Sequence, residues 1–400
     1  MAYTDSALDH RLSARFDVVR RRAGGTWETS LRTVLAEWGR IGCVGFGGPP
    51  SHIAMLRTLC VQRRVWLTSE DFEDAVVACN LLPGPSSTQL AIYCAWRVRG
   101  RAGALVGGLA FIIPGLVIIL VLFAQFLGGS PPVWVVGVGG GAGAAVAAVA
   151  VQAGIGLVGP SWKRGRAASA VRWVVYAVVG GVAAAMAGSV LVLVLLLCGG
   201  AEMAVGADRH PRPSPLVLPL GSTFGTAVGG LGALAWTALK VGALAYGGGF
   251  VIIPLMQADA VDRYHWFSGT QFLNAVALGQ ITPGPVTQTV AAVGYAAAGL
   301  IGGLLAAAVA FAPSFVFILV GGHQFDRLRA NASAQCFLRG AGPAAIGAIF
   351  GAAVPLARSL TEGWQFGILA AASIALLVLR RSVVSTLLAA GVIGALVAVL

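Results

Sequence analysis

The 400-residue chain is 57% hydrophobic and only 10% charged, with a mean hydropathy of +0.84. A water-soluble domain carries about 25% charged residues, so most of this surface must face lipid instead of water. The formal charge of +12 rests on arginines and only two lysines, Lys163 and Lys240. On a soluble protein it would suggest nucleic acid, but in short loops between apolar spans it is the positive-inside bias, and no nucleic-acid partner is expected.

Taken in chain order, residues 1–30 are polar, carry Arg20-Arg21-Arg22 and lack the apolar centre of a signal peptide, so they are expected to be a cytoplasmic lead-in. A first half follows over 31–201, a linker around Arg209–Pro213 over 202–222, and a second half over 223–400. The uncharged runs Ala102–Leu127, Val133–Val158, Trp173–Gly199 and Ile301–Gly321 approach or exceed the roughly 20 residues that cross the hydrocarbon as a helix. They lack the 10-residue alternation of barrel strands. The fold class is therefore an all-α polytopic membrane protein, spanning the plasma membrane several times. Gly137–Gly143 and Gly299–Ala308 read as close-packing helix faces. Four further segments, Leu31–Gly45, Ile53–Cys60, Phe72–Leu82 and Ser86–Trp96, are too short to cross alone and are bounded by Gly-Gly or Pro-Gly-Pro. They are expected to be re-entrant or broken helices, which in transporters mark the binding site.

An internal repeat organises these elements. A shift of 200 residues lays Pro83-Gly84-Pro85 on Pro283-Gly284-Pro285, Gly47-Gly48 on Gly247-Gly248, Arg40 on Lys240, Arg63 on Arg263 and Trp66 on Trp266. Residues 31–85 align without a gap. The loop Arg97–Arg101 is strongly basic while its counterpart Ala296–Leu300 is uncharged. Equivalent loops of opposite charge character predict two homologous halves in inverted orientation.

The breaks carry the candidate chemistry. Pro83 and Gly84 stop one helix, and Pro85 suits the first turn of the next. Ser86, Ser87, Thr88 and Gln89 then combine side-chain donors with the unpaired N–H groups and positive dipole of a helix start, which favours an anion. The second half repeats the device with Pro283, Gly284, Pro285, Thr287 and Gln288. Gly47, Gly48 and Ser51, and Gly247, Gly248 and Gly249, supply two more helix starts, and four such starts converging suit a tetrahedral dianion. Asn80 and Gln280 precede the Pro-Gly-Pro breaks and offer amide donors. Arg40 and Lys240 are intramembrane cations able to neutralise a dianion, with pairing of Arg40 to Glu37 as the structural alternative. His52 reads either as a titrating site residue or as a packed ring.

The six cysteines form no C-x-x-C pair, so no metal site is expected, and no motif calls for a cofactor. No Walker loop and no hydrolytic triad are present, so the chain is not an enzyme, and an ion gradient or the membrane potential must drive it. The stretch Phe46–Pro49, the Pro83–Gln89 segment and their partners near 246 and 283 resemble the chromate ion transporter family in its long, two-domain form. That resemblance implies alternating-access export of chromate, with sulfate as a similar anion. An uncoupled anion channel of the same architecture is the alternative, and monomer and homodimer both remain open.

Overall fold

The computed structural model describes residues 29–82, 84–127, 132–186, 190–207, 230–245, 251–321 and 332–400, among which there are helices and no strands. The first half runs α1 (Leu31–Val44), α2 (Pro49–Arg57, extended by a π-helical turn Thr58–Arg63), α3 (Ser69–Leu81), α4 (Ser86–Leu127), α5 (Val133–Lys163), α6 (Ser169–Met186) and α7 (Leu191–Ala207). The second repeats the order with α8 (Leu231–Leu244), α9 (Ile252–Gln257, extended by a π-helical turn Ala258–Arg263), α10 (Gly269–Ile281) and α11 (Val286–Gly321). It closes with α12 (Ala332–Arg358), α13 (Gly363–Ser373, extended by Ile374–Val378) and α14 (Val383–Val399). Helices α4, α5, α6, α11 and α12 are long and apolar enough to cross a membrane.

Two boundaries differ from expectation. The apolar run Trp173–Gly199 is divided between α6 and α7. The linker expected from 202 begins inside α7, whose Glu202 is held by Arg172 at 3.0 Å and so keeps the helix going to Ala207. The rest of that linker, and residues 1–28 of the expected lead-in, lie outside the described residues.

Helix α4 has 42 residues and would measure about 63 Å if straight, twice the hydrocarbon thickness. It is a hairpin instead. Arg99 (φ −143°) and Gly100 (φ 62°, ψ −152°) leave helical geometry, and Gly100 adopts a conformation that only glycine takes readily. The chain then doubles back, so that Gly103 and Gly107 lie against Ala95 and Gly108 against Ile92. Helix α11 reverses the same way at Ala298 and Gly299 (φ 61°), with Gly294 and Gly302 backbone to backbone.

The short segments are re-entrant hairpins. Trp38 of α1 stacks on Trp66 beyond α2 at 6.0 Å, and the Glu37 carboxylate accepts from Arg64 Nη2 at 2.6 Å, which brings the two arms together at their base. Arg97, at the end of the first arm of α4, reaches Asp71 at the start of α3 at 3.8 Å. Arg57 joins the two bases by pairing with Glu73 at 3.0 Å. Both hairpins thus enter from one charged face, and their tips are the Gly-Gly and Pro-Gly-Pro breaks.

The two halves are inverted. A Cβ on Gly108 would lie 2.6 Å from the Phe315 ring, while Gly303 sits against Leu120, so the long arms of α4 and α11 run antiparallel. Equivalent helices that pack antiparallel are related by a two-fold axis across their length, which for membrane-crossing helices lies in the membrane plane. The halves also exchange partners. Helix α5 packs on α14 through Gly137 against Gly394, and α12 on α7 through Gly340 against Cys198, contacts so close that a methyl at any of these glycines would strike backbone. Without a hydrophobic force between helices in lipid, such close approach is what holds them together. Inversion predicts that Arg63→Cys and Arg263→Cys, each in a cysteine-free background, will be labelled by an impermeant maleimide from opposite sides of the membrane; labelling of both from one side would contradict it.

Candidate functional site

A helix that ends inside the bilayer has backbone groups that lipid cannot satisfy. Here the tips satisfy one another. At the Pro-Gly-Pro breaks Leu82 and Thr282 are extended (ψ 143° and 144°), and Gly84 and Gly284 have φ of 124° and 95°. A side chain at Gly84 would also strike the Gln89 amide, as one at Gly284 would strike Gln288. The Gly284 N–H donates to the Gly45 carbonyl at 2.9 Å, joining the second half's break to the first half's other break. Gln288 Nε2 donates to the Ile112 carbonyl of α4 at 3.0 Å. Gly84 in turn packs against the Gly242 carbonyl of α8.

The equivalence of Gln89 and Gln288 corrects the register. Their spacing is 199 (288 − 89), as is that of Gly100 and Gly299, so one residue is missing after Pro285. The first half starts its helix directly at Ser86, whereas the second starts with a tight 3₁₀ turn, Val286–Gln288, before Thr289. Ser87, Thr88, Thr287 and Gln288 are all buried in this packing together with Pro85, Pro283 and Pro285. Among the described residues nothing pairs with Thr88 Oγ1.

A cavity of about 510 Å³ opens where the tips meet. Of the residues expected at a site it gathers Gly47, Gly48, Asn80, Ser86 and Gln280. Gly48 (φ 71°) caps α2, so that helix and the one starting at Ser86 both turn N-terminal ends towards it. Gln280 is 7% exposed, and its Nε2 has no partner among the described residues. A buried unsatisfied donor costs about 1–3 kcal/mol, so an acceptor in the cavity would be welcome. Asn80 and Gln280 are equivalent positions of inverted halves, and both line it. No charged side chain lines it. Gln152 of α5 also lines it; its signal in the sequence is that of a lone polar residue within an apolar span.

Other expected residues lie elsewhere. Arg40 and Ser51 line a separate cleft of about 290 Å³ with Arg63 and Glu37, and Glu37 pairs with Arg63 and Arg64 across the hairpin rather than with Arg40. Lys240 is not free to meet an anion, because it is paired with the buried Asp259, which also accepts from Thr237 Oγ1 at 2.8 Å. The signal for this lay in the repeat: Asp259 stands where the first half has Leu59. His52 is the packed ring. Its Nε2 donates to the Gly45 carbonyl at 2.9 Å, Nδ1 meets Ser87 Oγ at 3.3 Å, and the ring stands edge-on to Phe111 at 5.0 Å. Pro83, Gly247, Gly248 and Gly249 lie outside the described residues.

An inverted repeat with re-entrant hairpins meeting at a cavity that gathers Asn80, Ser86 and Gln280 defines a membrane transporter. The chain belongs to the chromate transporter family, whose profile matches residues 32–203 and 232–395. It is 30% identical over 382 residues to the chromate transport protein of Cupriavidus metallidurans, covering 90% of this chain and 91% of that protein. It is 29% identical to the chromate transport protein of Pseudomonas aeruginosa, over 92% of each chain, and 29% to the probable chromate transport protein of Synechococcus elongatus, over 82% and 85%. No solved structure matches this chain.

The different surroundings of the two equivalent cations predict different sensitivities. Lys240→Met leaves a buried carboxylate unpaired and should destabilise the protein by about 3–5 kcal/mol, whereas Lys240→Met with Asp259→Leu should recover most of that loss. Arg40→Gln, at an exposed position without such a partner, should change stability by about 0.5 kcal/mol or less. Thermal unfolding in detergent checks all three.

Proposed function

We propose that this protein exports chromate, or a related tetrahedral oxyanion such as sulfate, from the cytoplasm across the cell membrane by alternating access. The observation that carries this reading is that Asn80 and Gln280, equivalent in the two inverted halves, line one cavity at the tips of the breaks. A site that takes one carboxamide from each half keeps contact with both, which is what a carrier needs if one half's conformation is to be exchanged for the other's.

The lining explains how a dianion is held without a cation. Amide N–H groups and the Ser86 hydroxyl donate to the oxygens, and the helix starts at Pro49 and Ser86 add positive dipole ends. Dispersed neutral donors attract the anion yet let it leave, whereas a fixed charge in low dielectric would bind it far more tightly. A cavity of about 510 Å³ leaves room for the anion to keep part of its hydration shell. A wet, roomy site discriminates weakly between tetrahedral oxyanions, and sulfate and molybdate should compete with chromate. With the hairpin bases of the first half, rich in arginine, on the cytoplasmic side, the positive-inside bias is obeyed.

Uptake of labelled chromate into inverted vesicles tests the proposal. Asn80→Ala and Gln280→Ala should each raise KM about tenfold, the loss expected for a hydrogen bond to a charged group. Unchanged KM in both, with normal insertion, would remove the cavity as the binding site. Net current through proteoliposomes at channel-like rates, insensitive to counter-substrate, would replace the carrier by an uncoupled channel.

A further inference from the structure

We infer that Gln152 is a third amide ligand of the transported anion and the one that joins it to helix α5, an inference that rests on the cavity being the transport site. Between Val146 and Leu157 it is the only polar residue, in a stretch otherwise made of alanine, glycine and branched aliphatics. A carboxamide there is costly in lipid and needs a partner. Three other glutamines of this chain have structural ones. Gln365 Oε1 accepts from the Thr361 and Glu362 N–H groups to start α13, Gln271 completes the capping box of α10, and Gln288 ties α11 to α4. Gln152 has no hydrogen-bond partner among the described residues, and its side chain lines the cavity from a wall that is otherwise apolar, formed by Val149, Ala153, Gly156 and Leu157.

The wall and the tips stand on different helices, although α5 also packs on α10 where Gly139 and Gly143 meet Asn274. Asn80, Ser86 and Gln280 sit on the re-entrant hairpins, while α5 packs on α14 of the other half. An oxyanion in the cavity can therefore accept from Gln152 Nε2 on one side and from the tip donors on the other. The second half offers no counterpart: at the same spacing of 199 (351 − 152) stands Gly351, packed against Gly181. Gln152 is thus a single contact, made by one half only, that positions the anion across the cavity and reports its oxygens.

The test is uptake of chromate and of sulfate into proteoliposomes containing the full chain. Gln152→Met keeps length and helix packing but removes donors and acceptor; it should raise KM for both anions about tenfold with Vmax within twofold. Gln152→Glu, of the same shape but negatively charged, should abolish uptake while insertion and thermal stability stay as in the parent. Gln152→Asn should fall between the parent and Gln152→Met. A purely structural role would instead lower Vmax or protein yield and leave KM in place. The inference is overturned if Gln152→Met leaves KM within twofold while Gln280→Ala raises it. If neither variant moves KM, the cavity itself is not the site, and the underlying proposal falls with it.

Discussion

Hydrocarbon offers no hydrogen bonds, and a helix that stops within it must find partners for its loose end among other parts of the protein. In this chain the solution is mutual. The break of one half supplies the carbonyl at Gly45 that the break of the other half needs at Gly284. The tips can exist at membrane depth only because they meet, and they meet only because the halves are inverted about one axis. The cavity is the space left over by this arrangement, and the helix starts at Pro49 and Ser86 line it because the breaks meet there.

Small residues make the geometry possible. Gly137, Gly340 and Gly347 each place backbone against backbone, and none has room for a Cβ. The exchange of α5 and α12 between halves interlocks the scaffold, and the hairpins pack on it as well, α10 on α5 at Gly139 and Gly143. The two hairpin pairs are clamped by ion pairs of opposite layout. In the first half the acid, Glu37, sits on the incoming arm and the cations at the base; in the second the cation, Lys240, sits on the incoming arm and the acid, Asp259, on the returning one. Duplication preserved the backbone and let the charges move.

Much of this was legible in the sequence, because spacing and glycine chemistry are local. The repeat, the breaks and the inversion could be read from Pro-Gly-Pro, Gly-Gly and the unequal arginine content of equivalent loops. The reversal at Gly100 was legible as well, since the basic loop Arg97–Arg101 separates the short segment Ser86–Trp96 from the apolar run Ala102–Leu127. The fate of Arg40 and Lys240 was hidden. Their equivalence in the repeat suggested one role for both, but partners are set by tertiary contacts, and one acidic residue in place of Leu59 was enough to separate them. Gln152 went unremarked because it belongs to no motif; only its place on the wall of the cavity distinguishes it.

The missing residue after Pro285 has a thermodynamic meaning. In a perfectly duplicated carrier the inward-open and outward-open forms would be mirror assignments of the same two conformations, equal in energy and equally populated. Here one helix start is an α-turn and the other a compressed 3₁₀ turn, so exchanging their roles does not return the same molecule. A difference of only about 1.4 kcal/mol between the two forms holds the empty carrier tenfold more often on one side. In the proposed alternating-access cycle, this one-residue difference between the halves makes the two forms unequal.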